Sequence, residues 1–290
     1  SLFSIIISPN KTFKMKNLFF SIVCLFMSIG MNAQVKMPAP SPTQTIKQDF
    51  AMGNIELTYS RPSAKGRKVF GDLVPYNKLW RTGANGATII KFSDPVEIKG
   101  KRVDTGSYAL YTIPGAESWE IILNKGLKNW GVDGYKESED VIRIMVEPMK
   151  MKNNIETFTM QFADIKGESC ELHIMWAKTA VVIPITASIR EKVKAQIEAA
   201  MQTEKKPYWQ AAQFYNEYEK NSTKALEYAS KAVEANPKAF WIWLYKARIQ
   251  KDLGDKAGAL VSAQKSLELA TAEKNDDYIK MNEELIKKLN

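Results

Sequence analysis

Residues 107–113 read SYALYTI, and this short stretch decides the fold of the first half of the chain. Because side chains alternate along a β-strand, its residues divide into two opposite-facing sets: Tyr108, Leu110 and Thr112, and Ala109, Tyr111 and Ile113. Similar short runs, separated by turns rich in Gly, Pro, Asn and Asp, continue to about residue 185. Many short strands with such turns are typical of an antiparallel sandwich or jelly roll.

Ten strands are predicted in this region. They cover Thr45–Phe50, Asn54–Tyr59, Ala87–Phe92, Val96–Lys99, Ser107–Pro114, Ser118–Leu123, Asp140–Glu147, Glu156–Phe162, Ser169–Trp176 and Ala180–Ile185. Lys99-Gly100-Lys101 and Asp104-Thr105-Gly106 are predicted hairpin turns, because glycine supplies the positive φ that such turns need.

From Thr186 onward the pattern changes to helix, and a repeat appears. Ala, Lys, Glu and Gln dominate this part of the sequence, and similar residues recur at an offset of 34 positions. The matching pairs include Trp209 and Trp243, Ala225 and Ala259, Leu226 and Leu260, and Ala229 and Ala263. A helix–turn–helix unit of this length, with small residues that let paired helices approach, resembles the tetratricopeptide repeat.

We therefore predict an α+β chain with two segregated domains. An antiparallel β-sandwich or jelly-roll-like domain covers residues 34–185, and an all-α, tetratricopeptide-like helical repeat domain covers residues 186–290. Repeats are predicted at about 206–239 and 240–273, with flanking helices at Ser188–Gln202 and Asp276–Leu289. The apolar stripe of the last helix, 276–289, suits a cap on the stack.

The first 33 residues indicate export. Lysines precede an uncharged run from Leu18 to Gly30, and Ala33 is a small residue at the expected cleavage junction. This is the pattern of a secretory signal peptide, with Met15 as the expected initiator. The run is shorter than the roughly 20 residues of a membrane-spanning helix. We expect a periplasmic or extracellular protein with no transmembrane segment after cleavage.

The charge distribution points to an anionic partner. The chain carries a formal net charge of +9, and residues 61–102 hold ten basic but only three acidic side chains. Such a local excess attracts anions. An exported protein rarely meets nucleic acid, so we expect an anionic small molecule or a glycan instead. One cysteine, Cys170, would remain after cleavage, so stability would come from core burial and not from an internal disulfide.

The basic excess is concentrated in residues 59–88, YSRPSAKGRKVFGDLVPYNKLWRTGANGAT. Binding residues often lie on loops held by a rigid scaffold, and guanidinium groups hold carboxylate, sulfate or phosphate by forked hydrogen bonds. The residues predicted to bind a ligand are Arg61, Lys65, Arg67, Trp80, Arg81 and Asn85. The alternative is that the arginines bond loop carbonyls while Phe70 and Trp80 lie in the core.

Four motifs together carry a resemblance to a known family. They are SRPSAKGRKVFG-x-LVPYNKLWRTGANGAT from residue 60, DTGSYALYTIPG from 104, WEIILN from 119 and NWG from 129. The chain resembles domain-of-unknown-function family 2911 from about Gln44 to Pro184. This family occurs in exported bacterial proteins and is often followed by helical repeats. The resemblance implies export and a β domain, and it implies no activity.

Other candidate sites have plainer alternatives. Exposed aromatic rings beside polar turns suit sugar stacking, and the rings available are Trp80, Trp119, Trp130, Tyr76 and Tyr135. Most aromatic residues of a sandwich are core, which is the plainer interpretation of each. The acidic residues between 131 and 140 lack the spacing of a calcium loop, which favours a solvated turn. One histidine, His173, and one cysteine are too few for zinc. We therefore expect no metal and no cofactor.

The sequence lacks the common catalytic motifs: the G-x-S-x-G elbow, the phosphate loop and the dinucleotide fingerprint. We predict an exported, non-enzymatic binding or adaptor protein. Its β domain would recognise an anionic or glycan ligand, and its helical repeats would dock a protein or peptide in their groove. Two alternatives stay open: an envelope hydrolase with carboxylates beside Arg81 and Asn85, and a purely structural envelope protein.

Overall fold

The computed structural model of the protein describes residues 37–290. The predicted signal peptide lies outside the described residues. β-Strands occupy the chain from Thr43 to Thr186, and six α-helices follow between Arg190 and Leu289. The predicted α+β class with two segregated regions is confirmed. None of the helices in the described part is long and apolar enough to cross a membrane.

The strands form two antiparallel sheets. Their bounds are β1 Thr43–Phe50, β2 Gly53–Ser60, β3 Thr88–Phe92, β4 Val96–Ile98, β5 Lys101–Val103, β6 Gly106–Ile113, β7 Trp119–Asn124, β8 Asp140–Val146, β9 Met149–Ala163 and β10 Ser169–Thr186. The larger sheet has the order β1–β2–β3–β6–β7–β8, and the smaller has the order β5–β4–β10–β9.

One hydrophobic core receives the inner faces of both sheets. Alternate residues are buried along β2, from Ile55 to Tyr59, and along β10, from Leu172 to Trp176. Burial of each large apolar side chain stabilises the fold by about 1.5–3 kcal/mol. Cys170 is buried in the same core as a free thiol.

The structure differs from the predicted strands at three main places. β9 begins at Met149, seven residues before the predicted start at Glu156. Lys101–Val103 is a strand that pairs with β4 across the predicted turn, where Lys99 and Gly100 both have positive φ. The two last predicted strands are one strand, β10, because the polar residues between them form a bulge instead of a turn. The register with β9 shifts on both sides of Ala177, whose φ is 51°, as a bulged strand requires.

The helices are α1 Arg190–Ala200, α2 Tyr208–Glu217, α3 Ser222–Ala235, α4 Phe240–Asp252, α5 Lys256–Ala272 and α6 Asp276–Leu289. Each helix from α2 to α5 packs on the one that follows it. The alanines at 225, 229, 259 and 263 are fully buried between helices. Asp255 accepts a hydrogen bond from the Gly258 amide at the start of α5, and so caps that helix after the turn at Gly254.

Candidate functional site

The segment between β2 and β3 first runs along the free edge of β9. The Phe158 amide donates to the Pro62 carbonyl at 2.8 Å, and the Ala64 amide donates to the Glu156 carbonyl at 2.8 Å. Proline lacks an amide hydrogen, which restricts it to sheet edges. Pro62 therefore pairs with β9 only by accepting a hydrogen bond at its carbonyl. This part of the predicted site is therefore an edge segment that covers β9.

Arg61 and Arg67 hold this edge segment in place. Arg61 donates from Nε to the Phe158 carbonyl at 3.0 Å and from Nη2 to the Thr159 hydroxyl at 2.9 Å. Arg67 donates from Nε and Nη2 to two carbonyls of its own turn, both at 2.8 Å. Lys65 is exposed at a φ of 51°, and its amide donates to a Glu156 carboxylate oxygen. The geometry gives these residues structural contacts, and ligand binding through them stays a prediction.

Trp80 is partly buried and packs against the core. Its indole stacks on Trp176, with ring centroids 6.1 Å apart, and meets Phe158 edge-on at 5.2 Å. Its Nε1 donates to the Gly83 carbonyl at 3.1 Å. The rings of Phe70 and Trp119 complete the cluster. Trp80 therefore anchors the loop that follows it.

Arg81 differs from the other two arginines. Its Nε is buried without a hydrogen-bond partner, and within residues 37–290 its guanidinium makes no ion pair. Nη1 packs closely on the backbone of Gly131, where an added Cβ would lie only 2.4 Å from it. A buried donor left without a partner costs about 1–3 kcal/mol. Because Nε is buried, a ligand oxygen would reach only the Nη1 and Nη2 nitrogens of this guanidinium.

A strained loop fixes the start of the Arg81 side chain. Thr82 is fully buried with φ of 55°, a conformation that β-branched residues rarely adopt. Its hydroxyl lies 3.1 Å from the Thr112 hydroxyl, and its carbonyl accepts from the Thr88 hydroxyl at 2.6 Å. Trp80 and Thr112 exchange two backbone hydrogen bonds on the preceding side. The residues on both sides of Arg81 are thus held.

Asn85 lies on the same loop and has a positive φ of 62°. Its side-chain amide donates to the Ser60 hydroxyl at 3.2 Å. Gly86 forms an isolated bridge with Trp130, which joins this loop to the loop between β7 and β8. We call these two loops, residues 81–87 and 125–135, the Arg81 site; they include both Arg81 and Trp130.

Among the aromatic residues that could stack on a sugar or lie in the core, Trp130 is 69% exposed. The other aromatic candidates differ: Trp119 is buried, Tyr135 is half-buried and Tyr76 is partly exposed. Next to Trp130, the Asn129 side-chain amide donates to the Tyr111 hydroxyl at 3.1 Å. The alternation of residues 107–113 places Tyr111 on the face of the sheet opposite Tyr108 and Leu110. No feature of the sequence, however, indicated its hydrogen bond with Asn129.

A polar network supports the second loop from the outer face of the larger sheet. The Arg143 guanidinium binds Asp140 at 2.7 Å and Glu120 at 3.1 Å, and donates to the Tyr135 hydroxyl at 2.8 Å. Burial, together with the hydrogen bond to Asp140, raises the pKa of Tyr135 to about 12. In residues 37–290, no group of three or more His, Cys, Asp or Glu side chains is placed to hold a metal ion.

Comparison with known proteins gives a family and no activity. No curated protein matches the chain. The family model described as Protein of unknown function (DUF2911) matches residues 41–185, which is half of the chain and includes all of the strands but the last residue of β10. The resemblance noted from the sequence motifs is thereby confirmed, and the chain belongs to this family.

Proposed function

We propose that the protein is an exported, non-enzymatic binding protein that holds an acidic sugar at the Arg81 site. One observation carries the proposal: the Arg81 guanidinium is partly buried, has no internal partner, and lies on a loop bridged to an exposed tryptophan. Arg61 and Arg67, by contrast, already donate to protein oxygens.

The two side chains suit the two parts of such a ligand. A guanidinium binds a carboxylate through two parallel hydrogen bonds, and an indole presents a large, rigid apolar face on which the C–H side of a sugar ring can stack. A uronic acid unit offers both groups. The local basic excess of residues 61–102 would also attract a polyanion over a distance of about one Debye length, roughly 8 Å at physiological salt.

The test compares oligogalacturonate with its methyl-esterified, neutral form by titration calorimetry. Arg81→Gln should abolish binding, and Arg81→Lys should weaken it because lysine lacks the fork. Arg102→Gln is the matched control, since it removes the same charge from an exposed side chain whose ion-pair partner within residues 37–290 is Asp104. Equal binding by wild type and Arg81→Gln, or equal loss in both glutamine variants, would contradict the proposal.

The two alternatives from the sequence predict different results. A hydrolase requires carboxylates beside Arg81, yet within the described residues none lies within ion-pair distance of its guanidinium. Recovery of shortened oligogalacturonate after incubation would nevertheless favour that alternative. A purely structural role predicts that Arg81→Gln changes only the melting temperature.

Export is part of the proposal. It is supported by the leader pattern before Ala33 and by the export that family 2911 implies. The protein expressed from its natural start should be recovered from the periplasm or medium with Gln34 at its N-terminus. Recovery of the uncleaved chain from the cytoplasm would contradict export.

We also propose that α2–α5 form two tetratricopeptide-like repeats that dock a peptide of a partner protein. The support is the 34-residue recurrence, the buried alanines and a cleft of about 200 Å³ that includes Tyr208, Trp209 and Trp241. Partner proteins retained by the wild type should be lost from Trp241→Ala but kept by Val261→Ala, a control at another exposed apolar residue of these helices. Retention of the same proteins by both variants would argue against docking at this cleft.

A further inference from the structure

A second cleft, separate in its residues from the Arg81 site, opens beside the aromatic cluster of the sandwich. Its volume is about 290 Å³. We call it the Tyr76 cleft, and its main lining residues are Phe70, Tyr76, Trp119, Pro148, Lys150 and Lys178.

The deep wall of the Tyr76 cleft is aromatic. Phe70 and Trp119 meet edge-on with ring centroids 4.9 Å apart, and both are buried apart from the small area that they show to the cleft. Phe70 also contacts Trp80 and Trp176 edge-on, at 6.0 and 6.4 Å. The wall is therefore part of a packed core and has a fixed shape.

Tyr76 forms a more exposed wall, and a glycine determines its position. Gly71 has φ of 86°, and a Cβ added there would lie 2.7 Å from Cε2 of Tyr76. The phenol ring thus packs on bare backbone. The turn is closed by the Gly71 amide, which donates to the Val74 carbonyl at 2.9 Å. The adjoining turn is fastened by the Asn77 amide, which donates to the Pro114 carbonyl at 2.8 Å.

Two lysines supply the charge of the cleft. Lys150 lies on β9 opposite Thr179 of β10, and Lys178 precedes Thr179 in the bulge where the register shifts, and both lysines line the same opening. Both side chains are exposed, and neither makes an ion pair or hydrogen bond with another residue of 37–290. Among residues 37–290, no carboxylate lines the cleft, and Glu117 and Glu147, which adjoin the lining residues Ala116 and Pro148, are exposed. The opening therefore has two cations without a counter-charge.

We propose that the Tyr76 cleft binds a small aromatic carboxylate. The ring of the ligand would lie against Phe70 and Tyr76, and its carboxylate would lie between the Lys150 and Lys178 ammonium groups. A cavity of about 150 Å³ holds benzene in a protein, so the larger volume of this cleft accommodates a substituted ring with its carboxylate. Edge-to-face contacts with the wall would favour an aromatic over an aliphatic body.

The test uses 1-naphthylacetate and its uncharged analogue 1-naphthylacetamide with the full chain. Wild type should bind the carboxylate at least tenfold more tightly than the amide. The double variant Lys150→Gln/Lys178→Gln should lose this preference, whereas Lys152→Gln, an exposed lysine on the same strand outside the cleft, should keep it. Gly71→Ala should weaken both compounds, because the methyl group displaces the Tyr76 ring.

Equal affinity for the two compounds in wild type, or an unchanged preference in the double variant, would overturn the proposal. Circular dichroism of each variant checks that the fold is retained. Arg81→Gln should leave naphthylacetate binding unchanged, so this proposal and the acidic-sugar proposal can fail independently.

Discussion

Replacing Arg61 and Arg81 by methionine, one at a time, separates an arginine that supports the fold from one that is free to bind. Methionine keeps most of the apolar stem and removes the charged donors. Arg61→Met deletes the hydrogen bonds to the Phe158 carbonyl and the Thr159 hydroxyl. Arg81→Met deletes no internal hydrogen bond of the described chain.

The structure gives the two variants different expected free energies of unfolding. A hydrogen bond to a charged group contributes about 1.5–3 kcal/mol. The Thr159 hydroxyl still has the Thr157 carbonyl as a partner after the change, so the main loss is at the Phe158 carbonyl. We expect Arg61→Met to lower stability by about 3 kcal/mol, or roughly 6–12 °C in melting temperature. Arg81→Met should lie within about 1 kcal/mol of wild type, because removal of an unpaired buried donor offsets lost packing on Gly131.

Urea unfolding followed by tryptophan fluorescence reports directly on this difference, because Trp119 and Trp176 lie in the core that Arg61 supports and Trp80 packs against it. The midpoint should fall in Arg61→Met with an unchanged denaturant slope. Arg67→Met should fall between the two, because the two hydrogen bonds of Arg67 are local and only one of them is partly buried. Equal destabilisation by Arg61→Met and Arg81→Met would refute the reasoning, since it would mean that the Arg81 guanidinium has an internal role.

Three further predictions follow from single residues. Gly131→Ala should lower the free energy of unfolding by about 1 kcal/mol, since φ at this position is 67°. It should also reduce oligogalacturonate affinity at least tenfold, because the added methyl group displaces the Arg81 guanidinium. Unchanged affinity in a titration would contradict this prediction. Burial, with a smaller effect of Glu171, raises the pKa of the Cys170 thiol to about 11, so iodoacetamide at pH 8 should label Cys170 only after denaturation, as peptide mass mapping would show. Burial and the hydrogen bond to Asp140 raise the pKa of Tyr135 from 10.0 to about 12. The stability that its protonated hydroxyl contributes is therefore complete below pH 10 and is lost as the pH rises through 12. Tyr135→Phe should flatten the fall of the urea midpoint over that pH range, and a fall as steep as that of wild type would contradict this prediction.

Much of the fold could be predicted from local pattern. Alternation in residues such as Tyr108 and Leu110 identified the strands, and the helix bounds at Asp276–Leu289 coincide with α6. The join within β10 could not be predicted, because Lys178 and Thr179 have the polarity of a turn. Only the pairing with β9 shows that they belong to a bulge. Local composition carries no information about a partner strand.

The candidate site was predictable only as a segment. The composition of residues 59–88 indicated fixed turns with cations, and the structure confirms that the turns are fixed. The sequence could not distinguish Arg61 from Arg81, because the oxygens that bind Arg61 belong to Phe158 and Thr159, almost a hundred residues further along the chain. Tyr76 is likewise separated by 74 residues from Lys150 and by 102 from Lys178, which is why no pattern indicated the Tyr76 cleft.

The strained backbone at Thr82 lies between the core and the partly buried Arg81 guanidinium. A buried β-branched residue at positive φ costs on the order of 1–3 kcal/mol, and it persists because Thr112 and Thr88 bond its side chain and its carbonyl. If the only requirement were a stable connection between Trp80 and β3, glycine at position 82 would avoid that strain, as Gly83 does beside it at φ of 151°. Threonine adds a second point of attachment to β6, so the backbone on both sides of Arg81 is tied to the sheet. A guanidinium attached to such a rigid backbone loses little further conformational entropy when it binds a ligand. This preorganisation favours the binding of an anion, whereas a loop that only connects two strands has no need of it.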